Sequence, residues 1–343
     1  MACCLSQPVR RYTTLDGLRG AAAVAVVLFH AGAISPLAMP GGYLAVDLFF
    51  VLSGFVIARA YLDMLRAGQW RDFLRRRVVR LYPMYLVGCV LGIAATMIVA
   101  LSRGEPPSIG AIVFALFLLP WPNPGYLFPV INPAWSLFFE ALVNLALAAL
   151  RPLHGRALLA SAVLGPGAVL LVLALRDGQL AQGAYWWNAG GGLARAAFSF
   201  SAGIALSTLK ERERVFGSWL AYALPIALFI LLMLAPKDRT FIDIACVFGI
   251  FPAMIWLGAR IEAPKAWPMS ALGDASYPLY CIHSPVLIVG LAVARRLPET
   301  AAMLGAFLVI ALIVVAYFLA RIVDRPLQRL VMRMLFDRRR SVA

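Results

Sequence analysis

A chain of 343 residues that is 62% hydrophobic and 14% charged lacks the polar surface of a soluble domain, in which roughly a quarter of residues are charged. Its mean hydropathy of +0.85 places it in a bilayer and excludes an ordinary soluble enzyme and a disordered chain alike. Five scattered cysteines suit neither a disulfide framework nor a metal cluster. The formal charge of +15, almost all of it arginine, gathers between apolar stretches, where it sets membrane orientation and meets anionic lipid headgroups rather than nucleic acid.

Arg10 and Arg11 precede the first apolar stretch, 15–34, which contains Asp16, Arg19 and His30 and shows no clear small-residue cleavage site, so it is expected to stay as a helix rather than be removed as a signal peptide. The next stretch, 42–62, brings Asp47 and Ser53. From Arg66 to Arg80 six arginines alternate with Trp70, Phe73, Leu74, Val78 and Val79, as in a helix lying in the inner interface. A third stretch, 82–101, holds Gly88 and Gly92 at a close-packing spacing. The segment 109–119 is short, ends at Pro120 and leads into PWPNPGYLFPVINP, so a re-entrant or surface hairpin is expected there rather than a crossing.

Further stretches follow at 134–150 with Glu140, 157–175, 189–208 with Arg195, 217–235, 240–259 with Asp243, 276–294 with His283, and 300–320, before an Arg-rich tail from about 321. The expected fold is therefore all-α: a polytopic membrane bundle of ten transmembrane helices plus a short re-entrant hairpin, one domain over 1–343. With the hairpin not crossing, 22 basic residues fall on the side of the termini and 6 opposite, which predicts cytosolic termini.

Ionisable groups inside a span are costly and are functional candidates by default. Counting about 1.5 Å per residue puts Arg19 roughly 6 Å and His30 roughly 22 Å from the inner edge, with Asp47 and Glu140 about 8–10 Å below the outer edge. His30 is thus expected beside one or both carboxylates, prepared as a general base. Glu140 has a plainer reading as a salt bridge to Arg19 or Arg195. Arg19 shares a helix face with His30, three turns away. His283, just before Pro285, is placed in the inner half. Arg195 and Asp243 are expected to snorkel to the outer interface, Ser53 to serve close packing, His154 to be solvated, and Cys3 and Cys4 to be available for lipidation.

The stretch TTLDGLRGAAAVAVVLFH, then GGYLAVDLFFVLSGFVIAR, FLRRRVVRLYPMY, NPAWSLFFEALVN, SYPLYCIHSPVL and DRPLQR, in that order, resembles the acyltransferase 3 family of integral membrane O-acyltransferases. The resemblance implies transfer of an acyl group, most often acetyl, from a cytosolic acyl-CoA co-substrate to a hydroxyl of a sugar, polysaccharide or lipid-linked glycan acceptor, with no resident cofactor or metal. The family's first-helix pair falls on Arg19 and His30, its basic motif on Arg76, Arg77 and Arg80, its SGF serine on Ser53, its WSL-E motif on Trp135, Ser136 and Glu140, and its late motif on Tyr280 and His283. One departure is Asp324, where the family often has Glu. On this reading Arg76, Arg77 and Arg80 hold the donor phosphates, since a guanidinium fork matches phosphate oxygens, and His283 and Ser53 complete the donor-binding set. His30 acts as base or transient acyl carrier, aided by Glu140 or Asp47, and Arg19 serves the thioester. The rival class is a permease or exporter of a sugar or small anion, which would use the same polar stripe without covalent chemistry.

Overall fold

The computed structural model describes residues 11–336 except 36, 38, 105–107, 151–154, 210–214, 235 and 237. Cys3, Cys4, His154, the basic loop 210–214 and the arginines beyond 336 lie outside the described residues. Regular structure is helical throughout the described residues, apart from two isolated bridges that tie loops together, Tyr126 with Tyr185 and Val215 with Ile261.

In chain order the helices are α1 (Thr13–His30), α2 (Ala45–Arg66), α3 (Trp70–Arg103), α4 (Ile109–Leu116), α5 (Ala134–Ala149), α6 (Arg156–Asp177), α7 (Ala189–Ser207), α8 (Leu220–Met233), α9 (Thr240–Ala245), α10 (Phe251–Gly258), α11 (Ala266–Ala294), α12 (Ala301–Leu319) and α13 (Arg325–Phe336). One π turn, Cys246–Ile250, joins α9 to α10, and a second, Ala320–Asp324, joins α12 to α13. Each apolar stretch of the sequence is mostly helix among the described residues. Among the described residues, six helices are long and apolar enough to cross a bilayer by length and composition: Gly42–Arg66, Trp70–Ser102, Arg156–Asp177, Thr240–Gly258, Ala266–Ala294 and Pro298–Phe336. The apolar helices Ala134–Ala149 and Leu220–Met233 are shorter.

Close approaches fix the helix directions. Gly17 packs on Met269 and Gly20 on Leu272, so α1 and α11 run parallel. The Tyr277 hydroxyl reaches the Leu81 carbonyl and Gly88 meets the Cys281 carbonyl, which sets α3 parallel to α11 as well. Helix α5 runs the other way: Glu140 pairs with Arg77, while Ile131, just before α5, touches Gly92. The chain between α3 and α5 therefore leaves and returns at one end of the bundle. Within it α4, eight residues long, measures about 12 Å against a hydrocarbon core of about 30 Å. We call the end where α1 begins the inner end and the end where it finishes the outer end.

Two expectations change here. The basic segment 66–80 is not a separate interfacial helix: from Trp70 it continues through Pro83 into the span as one 34-residue helix, whose first turns project beyond the apolar stretch. Helix α11 starts at Ala266, ten residues before the apolar stretch begins, because a helix need not stop where hydrocarbon does. His283 consequently sits about 25 Å along α11, in the outer half rather than the inner. Pro278 and Pro285 both lie inside the helix without ending it.

Two apolar cores result. One gathers α1, α8, α10 and α11; the other gathers α2, α3, α5 and the loop before it. Tyr277 borders both, and the candidate site lies along that seam.

Candidate active site

A cavity of about 270 Å³ opens between α1, α2, α3, α5 and α11, and its polar lining includes Arg19, Ser53, Arg77, Arg80, Ser136, Glu140, Ser276, Tyr277 and Tyr280. Its centre is Glu140, whose Oε1 accepts from Ser53 Oγ at 2.7 Å and from Arg77 Nη2 at 2.7 Å. The SGF motif explains itself at this crossing: Ser53 donates to Glu140, Gly54 lets the Phe200 backbone come close, and Phe55 enters the core. Among the described residues, buried Arg77 Nε has no hydrogen-bond partner, so the guanidinium keeps a donor free although it already holds Glu140.

Arg19 is held from three sides. It donates to Asp16 Oδ1 at 2.9 Å, to the Gly273 carbonyl at 2.8 Å and to Ser276 Oγ at 3.0 Å. Asp16, Ser276 and Tyr277 were not among the sequence candidates. The Asp16–Arg19 spacing of three residues, one helical turn, was the available signal. Arg80 pairs with Asp324 at 3.2 Å across the π turn, which aims that carboxylate back at α3, and its guanidinium lies over the Tyr277 ring. Arg76 departs from the expected arginine trio: it turns about 100° from Arg77 around α3 and covers the Phe336 ring of α13, outside the cavity lining.

The outer wall of the cavity is Tyr280. Its hydroxyl donates to the Pro133 carbonyl at 2.5 Å and so accepts from Ser136 Oγ, also at 2.5 Å. One turn further along α11, the His283 ring lies 5.7 Å from the Tyr280 ring and 5.0 Å from that of His30, centroid to centroid. His283 is fully buried, whereas His30 is exposed at the end of α1. Each imidazole contacts a backbone carbonyl through Nδ1: His30 with Val26 at 2.9 Å, His283 with Tyr280 at 2.7 Å. A carbonyl can only accept, so Nδ1 carries the proton in the neutral rings and each Nε2 keeps its lone pair. Among the described residues, His283 Nε2 is buried without a partner.

The carboxylate expected beside His30 is elsewhere. Among the described residues its ring neighbours are Phe29 and His283, while Glu140 serves Ser53 and Arg77. Asp47 accepts from Arg195 Nη2 at 2.6 Å and from Nε at 3.2 Å, with both side chains at most 1% exposed. Arg195 therefore does not snorkel. It also donates to the carbonyls of Gln182 and Tyr43 and lies under the Trp135 ring, so the Trp of the WSL-E motif helps to bury this ion pair. Asp243 likewise turns inward, bonded to Tyr43, to the Leu180 amide and to Arg239.

Thus Arg19, Ser53, Arg77, Arg80 and Glu140 meet in one cavity, His30 and His283 form a pair beyond its Tyr280 wall, and Asp47 and Arg76 stand apart. Comparisons with known proteins bear on the chemistry. The sequence profile of the family described as an acyltransferase domain, acyltransferase 3, matches residues 12–321. A Komagataeibacter xylinus protein named "Putative membrane-bound transacylase BcsY" is 27% identical over 82% of this chain and 74% of its own length. Protein 2 in the picA locus of Rhizobium radiobacter is 42% identical over 40% of this chain and 81% of its own. O-acetyltransferase OatA of Staphylococcus aureus is 35% identical over 22% of this chain, which is 13% of OatA. No solved structure matches the chain. With most of its length matched by the family profile, this chain belongs to the acyltransferase 3 family of membrane O-acyltransferases.

Proposed function

We propose that the protein takes an acyl group, most simply acetyl, from acyl-CoA at a cytosolic inner end and passes it to a hydroxyl of a sugar or polysaccharide at the outer end. Ten crossings, with both termini cytosolic, are part of this reading. The observation that carries it is the arrangement of parts: an arginine-lined cavity ends at Tyr280, and immediately beyond lie two imidazoles with bare Nε2 atoms.

Arg77 and Arg80 would bind the donor phosphates, exchanging part of their contact with Glu140 and Asp324 for phosphate oxygens. Helix α1 is unbroken, so Arg19 stays about 16 Å along the axis from His30 and orients the donor arm rather than the reacting carbon. In the transfer, His30 Nε2 takes the acceptor hydroxyl proton as the oxygen bonds to the thioester carbonyl carbon; the C–S bond then breaks and the CoA thiolate leaves with that proton. The His30 cation, with no carboxylate bonded to it among the described residues, would face the His283 ring, 5.0 Å away centroid to centroid. The acyltransferase family and its named relatives support this reading over a permease.

The test is radiolabelled acetyl-CoA given to purified protein in nanodiscs with candidate glycans. Acyl-glycan should form and should fall at least about 100-fold in His30→Ala, the usual scale for loss of a general base. Full transfer by that variant, or movement of glycan without a covalent product, would sink the assignment.

A further inference from the structure

The outer end carries a second cavity, of about 310 Å³, lined by Thr96, Ser108, Trp121, Asn123, Tyr126 and Val130 among others. It lies at the lower end of small-ligand pocket sizes. Its lining is a mixture of aromatic faces, hydroxyls and a carboxamide, without a charged side chain among the described residues.

Beside it the loops before α5 and α7 are tied together. The Leu127 amide donates to the Ala184 carbonyl at 3.0 Å, and the Trp186 amide to the Gly125 carbonyl at 3.0 Å, where Gly125 has φ +120°. This clasp places Tyr185 between two nearly parallel rings: Tyr126 at 4.4 Å and 27°, and Trp187 at 5.8 Å and 25°. The Tyr185 hydroxyl donates to that of Tyr126 at 2.8 Å. That bond pushes the Tyr185 phenol up to about 12, so its hydroxyl remains a donor. Trp186 Nε1 is fixed on the Trp121 carbonyl at 2.7 Å, and the Trp121 ring rests on Gly110, where a Cβ would come within 2.4 Å of it. Trp187, at the end of the stack, is 74% exposed.

We propose that this aromatic ledge and its adjoining cavity bind pyranose rings of the glycan acceptor. The inference rests on the transferase reading and names the part of the acceptor that is gripped. Sugar rings present apolar C–H faces and polar edges; stacked indole and phenol faces match the former, and Asn123, Ser108, Thr96 and the Tyr126 hydroxyl match the latter. A membrane-anchoring aromatic belt needs neither ring-on-ring stacking nor an uncharged polar cavity beside it. The register also fits. Gly88 and the Cys281 carbonyl mark a common level of α3 and α11; Thr96 is eight residues outward on α3 and His283 two residues outward on α11. The cavity thus begins about 9 Å beyond His283 along the axis, within the span of two linked sugars from the imidazole pair.

The test uses the whole chain in nanodiscs, without acyl-CoA, titrated calorimetrically with chitohexaose, cellohexaose and xylohexaose. Saturable binding of at least one is expected, weakened roughly tenfold by Trp187→Ala or by Tyr126→Ala, the scale of one lost ring stack. Trp187 is exposed enough that its replacement leaves the fold intact, and Asn123→Ala supplies an independent polar readout. No binding by any of the three sugars, or binding indifferent to all three substitutions, would overturn the ledge. Sugar binding that depends on the ledge, in a protein that never forms acyl-glycan, would retain the ledge and remove the transferase reading instead.

Discussion

His283 is the residue whose surroundings make least sense for stability alone. A buried nitrogen without a partner costs about 1–3 kcal/mol, and replacement by an apolar group of similar shape recovers that cost. His283→Leu should therefore leave the melting temperature unchanged or raise it, while acyl transfer falls, by less than in His30→Ala, where the base itself is lost. Equal loss of stability and activity would mean that the imidazole only fills space. Asp47 makes the opposite case. Its ion pair with Arg195 has almost no solvent contact, and removing one partner of such a pair costs about 3–5 kcal/mol. Asp47→Ala should destabilise strongly, whereas Asp47→Leu combined with Arg195→Met should recover most stability and retain transfer. Failure of the double variant to transfer, when folded, would return Asp47 to the catalytic group.

At the scale of elements, the crossing of α2 and α7 holds the cavity in register. A Cβ on Gly54 would stand 2.0 Å from the Phe200 carbonyl oxygen, and one on Gly203 2.1 Å from that of Val51. Both obstacles are backbone, so the helices must separate rather than a side chain rotate. Gly54→Ala and Gly203→Ala should each lower stability by about 1–3 kcal/mol, the usual penalty of overpacking, and should lower transfer with Gly54→Ala affected more, since Ser53 is its neighbour. Thermal melts and donor titrations measure the two effects separately. The positions of these helices were legible from hydropathy, and so were the ionisable residues, because charge inside an apolar stretch is conspicuous. The start of α11 was not: the turns over 266–275 carry mixed polarity and give no hydropathy signal, and the missing ten residues displaced His283 by about 15 Å. Partner choice was equally hidden. Glu140 with Arg77, Asp47 with Arg195 and His30 with His283 are contacts across 63, 148 and 253 residues of sequence, which depth alone cannot distinguish.

For the molecule as a whole, sidedness is the property on which donor and acceptor depend. The parallel run of α1, α3 and α11 puts the loop before α3 and the loop before α11 at the same end, and the clasp of residues 120–133 with 180–188 at the other. Arginine is concentrated at the first end, in 66–80 and again in 321–333, and the proposed cytosolic orientation of that end rests on this bias. Cysteines introduced singly at exposed Gln69, Asn123, Lys265 and Glu299, in a background with the five native cysteines replaced, report each end directly. A membrane-impermeant maleimide should label Asn123→Cys and Glu299→Cys in intact cells, and Gln69→Cys and Lys265→Cys only after permeabilisation. Labelling of all four in the reverse sense would invert the bundle and place the arginine-lined cavity away from the cytosolic thioester. Gln69→Cys and Lys265→Cys reacting from opposite sides would instead mean that the segment around α4 crosses the membrane, and the antiparallel pairing of α3 with α5 could not stand.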